Sequence, residues 1–388
     1  MRILIAGQTY RPATNGAAVF AVRLAEGLAA AGHRVDVVMP SDRGAGYHDV
    51  ERGVRIHAIS AVSLAPLYPE IWVTLRPGPE VAQVFDRVRP QVVHIQDHYP
   101  LSRAVLAASR ARGLPVLGTN NFLPENMIPQ LPFPASRALV ERVLWRMVLG
   151  VLGRADAVTA ASETSARILR SRGLQAPVLA ISSGIDLARF APDSRLDREA
   201  VRRRYGLEPR RALFLYVGRL DRDKRVDLLL AALARTGRDD LQLAVAGRGR
   251  EANALAALAA RLGLGARAAL LGYVPDSDLP ALLNSADVFA MPSEVELQSI
   301  ATLEAMATGR PVLAANARAL PELVRDGVNG YLFRPGDADD AARAMVRLAD
   351  ERWRWPAMGA ASLAIARSHA LPRTIASYEA LYRRLAGG

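Results

Sequence analysis

The chain has 388 residues, 51% of them hydrophobic, no cysteine and a formal net charge of +12. That length suits two domains of roughly 150–200 residues, and that hydrophobic content excludes a disordered chain; without cysteine there is no disulfide, thiolate metal site or catalytic thiol. The basic excess is mild in both halves: 21 Arg against 14 Asp+Glu in the first 190 residues, and 29 Arg+Lys against 24 in the rest. With no helix-turn-helix, zinc-finger or RNA-binding signature, nucleic acid is not an expected partner.

Met1 leads straight into an apolar strand, Arg2 to Ala6. This run is too short for a signal peptide, and no stretch of about 18 apolar residues follows. The expected location is the cytoplasm, or the inner face of a membrane. A loop at 7–16 ends at Asn15 and Gly16, and 17–31 carries helical spacing, stopped by Gly32 and His33. Strands follow at Arg34–Met39, Val54–Ile59 and Val92–Gln96. A helix is expected at 101–112, a strand at Pro115–Thr119, a helix at 137–152, and strands at Asp156–Ala160 and Val178–Ser182. Near-continuous apolar strands between helices predict a parallel sheet covered on both faces.

The second half repeats the plan. Strands are expected at Ala212–Val217, Leu241–Ala246, Ala269–Leu271, 287–291, Pro311–Ala315 and Gly330–Phe333, with helices at 226–236, 252–262, 278–284 and 299–307. Gly184, Pro192 and the charged run 194–204 put the boundary near 185–210. The domains are therefore read as 1–185 and 186–367, with the tail from about 368 to 388 returning to the first. Trp353 and Trp355, beside Pro356, suggest a packed crossover. The fold class is α/β, two facing Rossmann-like domains, and the expected site is a cleft beyond the strand ends.

Candidate site residues cluster at those strand ends. Arg219 and Lys224 follow the strand ending at Val217, and Lys224 is the only lysine in the chain. A guanidinium fork and a compact ammonium suit a diphosphate, including the charge that builds as it leaves. The bland alternative is a pair of solvated cations. Glu296 and Glu304 stand eight apart, one before and one inside an apolar helix. A carboxylate amid Ile300 to Met306 is costly unless it binds something, such as ribose hydroxyls. Leu297, Gln298 and Ser299 lie at that helix's entry, where backbone N–H groups suit phosphate or sugar hydroxyls. Gly247 and Gly249 mark a tight strand-to-helix turn, and Tyr273 and Val274 follow the next strand.

In the first half, Gly16 heads a helix without a Gly-x-Gly-x-x-Gly pattern, which disfavours a nicotinamide enzyme. Asp97 and His98 leave a buried strand, where they could bind an acceptor hydroxyl or move a proton, or simply cap the strand end. Asn120, Asn121 and Glu125 lie beyond the next strand. The six histidines, at 33, 48, 57, 94, 98 and 369, form no ligand pair, so no metal is expected. Two segments, 137–154 and 64–75 with Tyr68, Ile71 and Trp72, combine apolar side chains with basic or few charges. Each could rest on an anionic bilayer or pack into the core.

Taken together, these motifs resemble the retaining glycosyltransferases of family 4, which have the two-domain GT-B fold. The resemblance spans the whole chain. It rests on Gly218, Arg219 and Lys224, on Gly247 and Gly249, on the run Pro292, Ser293, Glu296, Glu304, Gly309, Pro311, and on Pro321, Glu322, Asp326, Gly327, Asn329 and Gly330. It implies that Arg219 and Lys224 hold the donor pyrophosphate, and Glu304 the ribose. Glu296 with the backbone of Leu297, Gln298 and Ser299 would read the sugar, and Gly247, Tyr273 and Val274 would line the base. Gly16 would lie under phosphate and acceptor. It also implies a nucleotide diphosphate sugar donor, UDP-hexose favoured, with no metal or other cofactor. Two departures stand out. Asn121 occupies a position where many members have histidine, and Leu297, Gln298 and Ser299 replace a usual Gly-Phe-Gly. The stretches around Asp97 and Asn121 look closest to the branch that glycosylates diacylglycerol or related lipids, which implies a lipid acceptor and a peripheral membrane contact. A soluble sugar or natural-product acceptor, or a weakly active nucleotide-sugar-binding protein, are the alternatives.

Overall fold

A computed structural model describes residues 1–11, 15–64, 72–127 and 137–387. Its contacts divide the chain into two units, one of Met1–Pro124, Pro132–Ser183 and Pro372–Gly388, the other of Glu125–Leu131 and Gly184–Leu371.

The first unit is built on strands β1 (Arg2–Ala6), β2 (Arg34–Pro40), β3 (Tyr47–Glu51), β4 (Val54–Ile59), β7 (Val92–Ile95), β8 (Val116–Asn120), β9 (Ala157–Ala160) and β10 (Val178–Ala180). They form one sheet in the order β10-β9-β8-β7-β1-β2-β4-β3, and β5 (Val62–Ser63) with β6 (Trp72–Val73) forms a separate ribbon. Ile3, Leu4, Ile5 and Ala6 are all essentially inaccessible, because a parallel strand is covered on both faces. The helices between are α1 (Gly16–Ala30), α2 (Gly78–Val88), α3 (Pro100–Ala111), the short α4 (Pro124–Met127), α5 (Arg137–Leu152) and α6 (Glu163–Ser171).

The apolar runs predict a parallel sheet, but this one is not wholly parallel. β3 pairs antiparallel with β4 at the edge, turned by Arg52 at φ 47° and Gly53 at φ 81°. Two adjacent positive φ values are the mark of a tight hairpin. β3 escapes sequence reading because Tyr47, His48, Asp49, Val50 and Glu51 form an exposed polar edge. The helices α2 and α6 were also not anticipated. Of the segment 64–75, Tyr68 and Ile71 lie outside the described residues, while Leu64 and Leu75 are exposed.

The second unit holds β11 (Ala212–Val217), β12 (Leu241–Ala246), β13 (Ala268–Gly272), β14 (Val288–Met291), β15 (Val312–Ala315) and β16 (Gly330–Phe333). All pair in parallel in the order β13-β12-β11-β14-β15-β16. This is the doubly wound order whose direction reverses between its first and fourth strands. Around it lie α7 (Arg198–Arg204), α8 (Val226–Arg235), α9 (Ala252–Arg261), α10 (Leu279–Ser285), α11 (Ile300–Ala307), α12 (Leu320–Leu323), α13 (Ala338–Asp350) and α14 (Trp355–Ser368). Trp353 is 78% exposed rather than packed. Trp355 is half-buried and donates to the Leu348 carbonyl at 2.9 Å.

The last helix, α15 (Leu371–Ala386), belongs to the first unit. Its Tyr378 and Tyr382 are buried among sheet side chains. Tyr382 Oη meets His94 Nδ1 at 2.7 Å, His94 Nε2 meets Thr119 Oγ1 at 2.6 Å, and Tyr378 Oη meets Thr159 Oγ1 at 3.0 Å. A buried hydrogen-bonded set of this kind fixes one docking register, since any slip leaves polar groups unpaired.

Candidate functional site

In the second unit, the winding reverses between β11 and β14, so the loops after these two strands diverge and leave a crevice. Both loops carry charge. After β11, the turn Arg222–Lys224 is a single 3-10 turn, ended by Arg225 in the left-handed region at φ 51°. This turn aims Lys224 at the loop after β14, where Lys224 Nζ donates to Glu296 Oε1 at 2.7 Å. Lys224 Nζ also lies 3.4 Å from Asp223 Oδ2, and Arg219 pairs with Asp221 and lies 3.7 Å from Asp223. Asp223 is buried, and neither of its carboxylate oxygens has a hydrogen-bond partner. Arg225 reaches Glu294 at 2.8 Å.

Burial pushes Glu296 upward, but the charge and hydrogen bond of Lys224, with Ser293 and Arg219, outweigh it and hold the carboxyl below its usual range. Burial pulls Lys224 downward, and the charges of Glu296 and Asp223 more than reverse that. Both groups are therefore ionised at neutral pH. They are not the solvated surface cations of the bland reading, because only 14% of the Lys224 side chain and 13% of that of Glu296 is exposed.

Helix α11 begins at Ser299, which adopts φ 76° and caps the helix through its side chain, accepting from Thr302 N at 3.4 Å and meeting Thr302 Oγ1 at 2.8 Å. A serine at positive φ is strained by about 1 kcal/mol or more. Gln298 is buried just before it, and Leu297 is half-buried. Glu304, 7% exposed, stands among the buried Leu303, Ala305 and Met306. Arg189 is a residue the sequence reading passed over. It pairs with Asp276 at 2.7 Å, and its guanidinium is held further up by that hydrogen bond and by the fields of Asp276, Glu304 and Asp186. Its placement three residues after Asp186, in the segment that opens the unit, was the available signal.

Gly247 and Gly249 serve a purpose that their spacing does not reveal. A Cβ on Gly247 would stand 1.8 Å from the Gly218 carbonyl oxygen, and one on Gly249 would stand 2.3 Å from that of Leu220. The glycines let the loops after β11 and β12 pack backbone to backbone, joined by Leu220 N donating to Arg248 O at 2.8 Å. Next to them Tyr273 is 58% exposed, with the Arg248 guanidinium 4.8 Å over its ring. Val274 packs against the core.

The first unit gathers its own candidates where its sheet reverses, between β1 and β7. Asp97 follows β7 and accepts from Gln8 N, Tyr99 N and Ser102 Oγ. It joins the two diverging loops and ties the entry of α3 to the end of β7. Burial raises its pKa against those three hydrogen bonds. His98 is stacked on Tyr99 and tilted against Phe122, with ring centroids 4.6 and 4.9 Å away. Burial, then Arg103, lowers its pKa to about 4, so it is a neutral imidazole at physiological pH. Asn121 donates to Gln96 Oε1 at 3.3 Å, and Gln96 in turn meets His94. Gly16 is the first residue of α1, and Asn15 caps that helix by accepting from Ala18 N at 3.0 Å. Glu125 groups with the second unit, where it pairs with Arg318 at 3.2 Å. Among the described residues no group of three His, Asp or Glu side chains could hold a metal ion.

Two family models match the chain in succession, Glycosyltransferase Family 4 over residues 14–189 and Glycosyl transferases group 1 over residues 197–358. Among curated proteins it is 26% identical over 292 residues to sulfoquinovosyl transferase SQD2 of Arabidopsis thaliana, covering 74% of this chain and 55% of that protein. It is 33% identical over 303 residues to D-inositol 3-phosphate glycosyltransferase of Salinispora tropica, covering 72% of this chain and 61% of that protein. The chain thus spans less than two thirds of the length of these relatives. Among solved structures, sucrose-phosphate synthase from Thermosynechococcus elongatus superposes with a TM-score of 0.81 at 21% identity, covering 99% of both chains. Anabaena HepE in complex with UDP-glucose does so with 0.77 at 21% identity, covering 98% of both. Two Rossmann-like units of this order, with a C-terminal helix returning to the first, are the GT-B fold, and the chain is related to the family 4 glycosyltransferases.

Proposed function

We propose that the protein is a retaining glycosyltransferase that moves a hexose from a nucleotide diphosphate sugar, UDP-hexose favoured, to a hydroxyl acceptor. The observation that carries this reading is the meeting of Arg219, Lys224 and Glu296 where the second sheet reverses, with Glu304 on the adjoining helix. Arg219 and Lys224 would hold the diphosphate and stabilise the charge released as the bond from sugar to phosphate breaks. Glu304 would accept from ribose hydroxyls. Glu296 and the backbone from Leu297 to Ser299 would bind sugar hydroxyls, and Tyr273 and Val274 would border the base. The named activities of the relatives and the UDP-glucose complex of HepE support this donor class.

For the acceptor we favour a lipid at an anionic membrane surface on the cytoplasmic side. The support is helix α5, where Leu139, Val143 and Met147 are 56%, 49% and 38% exposed at four-residue spacing, beside the exposed Arg142 and Arg146. An apolar stripe flanked by arginines suits the boundary between headgroups and acyl chains. A soluble acceptor is the second reading, favoured by the D-inositol 3-phosphate glycosyltransferases among the relatives. The deciding experiment offers UDP-, GDP- and ADP-hexoses with and without anionic vesicles containing diacylglycerol. Transfer to lipid supports the first reading. Donor hydrolysis without lipid product points to a soluble acceptor. Donor binding with no turnover across a broad acceptor screen would instead mark a nucleotide-sugar-binding protein, with Asn121 and the loop at 297–299 as the suspects.

A further inference from the structure

Lys224 and Glu296 are assigned above to different parts of one donor, yet here each holds the other, Nζ to Oε1 at 2.7 Å. We propose that this ion pair is a placeholder that favours the intact sugar donor over the bare nucleoside diphosphate, and so helps the product to leave. The inference rests on the donor site proposed above.

The charge balance around the pair makes the case. Two cations, Arg219 and Lys224, are met by three carboxylates, Asp221, Asp223 and Glu296, within 4 Å. By formal charge the five groups sum to −1 before any phosphate arrives. A diphosphate therefore finds neither of these two cations idle and must take Lys224 from Glu296. If it arrives without a sugar, the released Glu296 carboxylate is left largely buried, without its partner and beside a new anion, which is unfavourable. The hexose of an intact donor changes this, because its hydroxyls can donate to the freed carboxylate. Asp223, with a side chain 0% exposed and 3.4 Å from Nζ, keeps Lys224 in position during the exchange. Once the sugar has been transferred, Glu296 loses its hydroxyl partners and recaptures Lys224.

The test is calorimetric binding of UDP, and of GDP and ADP in turn, to the full chain carrying Glu296→Gln, Glu296→Asp or Glu294→Gln. Freeing Lys224 from a self-paired state should raise the affinity for bare nucleotide by the reciprocal of the unpaired fraction, roughly three- to tenfold. We expect that gain in E296Q, and a smaller one in E296D, which keeps the charge but shortens the reach. UDP-glucose should gain less than UDP in E296Q, since a neutral amide oxygen accepts from the sugar hydroxyls more weakly than the carboxylate does. E294Q removes an equal charge from Arg225 rather than Lys224, and should leave UDP affinity within about twofold of wild type. Unchanged or weaker UDP binding in both Glu296 variants would overturn the inference alone, as would an equal gain in E294Q. Wild-type protein that binds no nucleotide at all would overturn the donor site and this inference together.

Discussion

The two sheets reverse direction in the same way, and the residues placed at the two reversals differ in kind. Between β11 and β14 stand Arg219, Asp221, Asp223, Lys224 and Glu296, interlocked by short cation–carboxylate contacts. After β7 and β8 in the first unit stand Asp97, hydrogen-bonded to the loop that enters α3, the neutral His98, and Asn121 tied to Gln96. One topology thus supplies two crevices lined by side chains of different kind, ion-paired in the second unit and mostly hydrogen-bonded or stacked in the first. The lesson is that strand order locates a candidate site without saying what it binds.

The sharpest way to break this contrast is to remove its charge. Lys224→Ala should lower kcat/KM with the preferred nucleotide sugar by about 10²-fold or more, while circular dichroism shows an intact fold. A variant retaining full activity would show that the charged crevice is not the donor site. The backbone that shapes this crevice is nearly as exposed to damage. Gly247→Ala would place a Cβ 1.8 Å from the Gly218 carbonyl, and should cost about 2–3 kcal/mol. Thermal denaturation should register this as a fall of several degrees; an unshifted Tm would mean that the loops part freely.

Acid should separate the two regions. Burial holds His94 down to about 3 and His98, with help from Arg103, down to about 4, against an ordinary 6.5. Below 6.5 the unfolded chain takes up these protons and the folded first unit does not. Stability is therefore lost as pH falls from 6.5 toward 4, by about 1.4 kcal/mol per pH unit per histidine at most. Glu296 is depressed below 4.5, so the stability its pair contributes is present above 4.5 and is lost only as pH falls further. Hydrogen exchange read by segment should show β7 and α15 opening at a higher pH than α11. The reverse order would refute this account.

Two smaller effects refine the charged crevice. Glu304→Gln should raise the donor KM about tenfold with little change in stability, since it weakens hydrogen bonds from a bound ribose; an unaltered KM would place the ribose elsewhere. Ser299→Gly should stabilise the protein by about 1 kcal/mol, because relief at φ 76° exceeds the few tenths lost with the cap. Ser299→Ala should destabilise it by a similar amount, since the strain stays and the cap goes.

Much of this arrangement is legible along the chain. The uniqueness of Lys224 and the eight-residue spacing of Glu296 and Glu304 single out two loops that the fold brings together. Apolar runs placed most strands of both sheets, because a strand buried on both faces must be apolar along its length. Where burial is partial the signal fades, and so the edge strand β3 was missed. Asp97 invited a chemical role because a polar residue after a buried strand looks available. Only its three hydrogen bonds show that its oxygens are already engaged.

What the sequence by itself determined is therefore local: which segments are buried strands or helices, that the two alternate along both halves of the chain, and which residue types stand at strand ends. What only the tertiary structure decided is pairing at a distance. Strand order brought Lys224 to Glu296 across 72 positions, set Gly247 against the Gly218 carbonyl, and carried Tyr382 back to His94 across 288. The physical reason is that periodicity encodes how deeply each residue is buried, whereas the partner it meets there depends on how the strands are ordered and which way each loop turns.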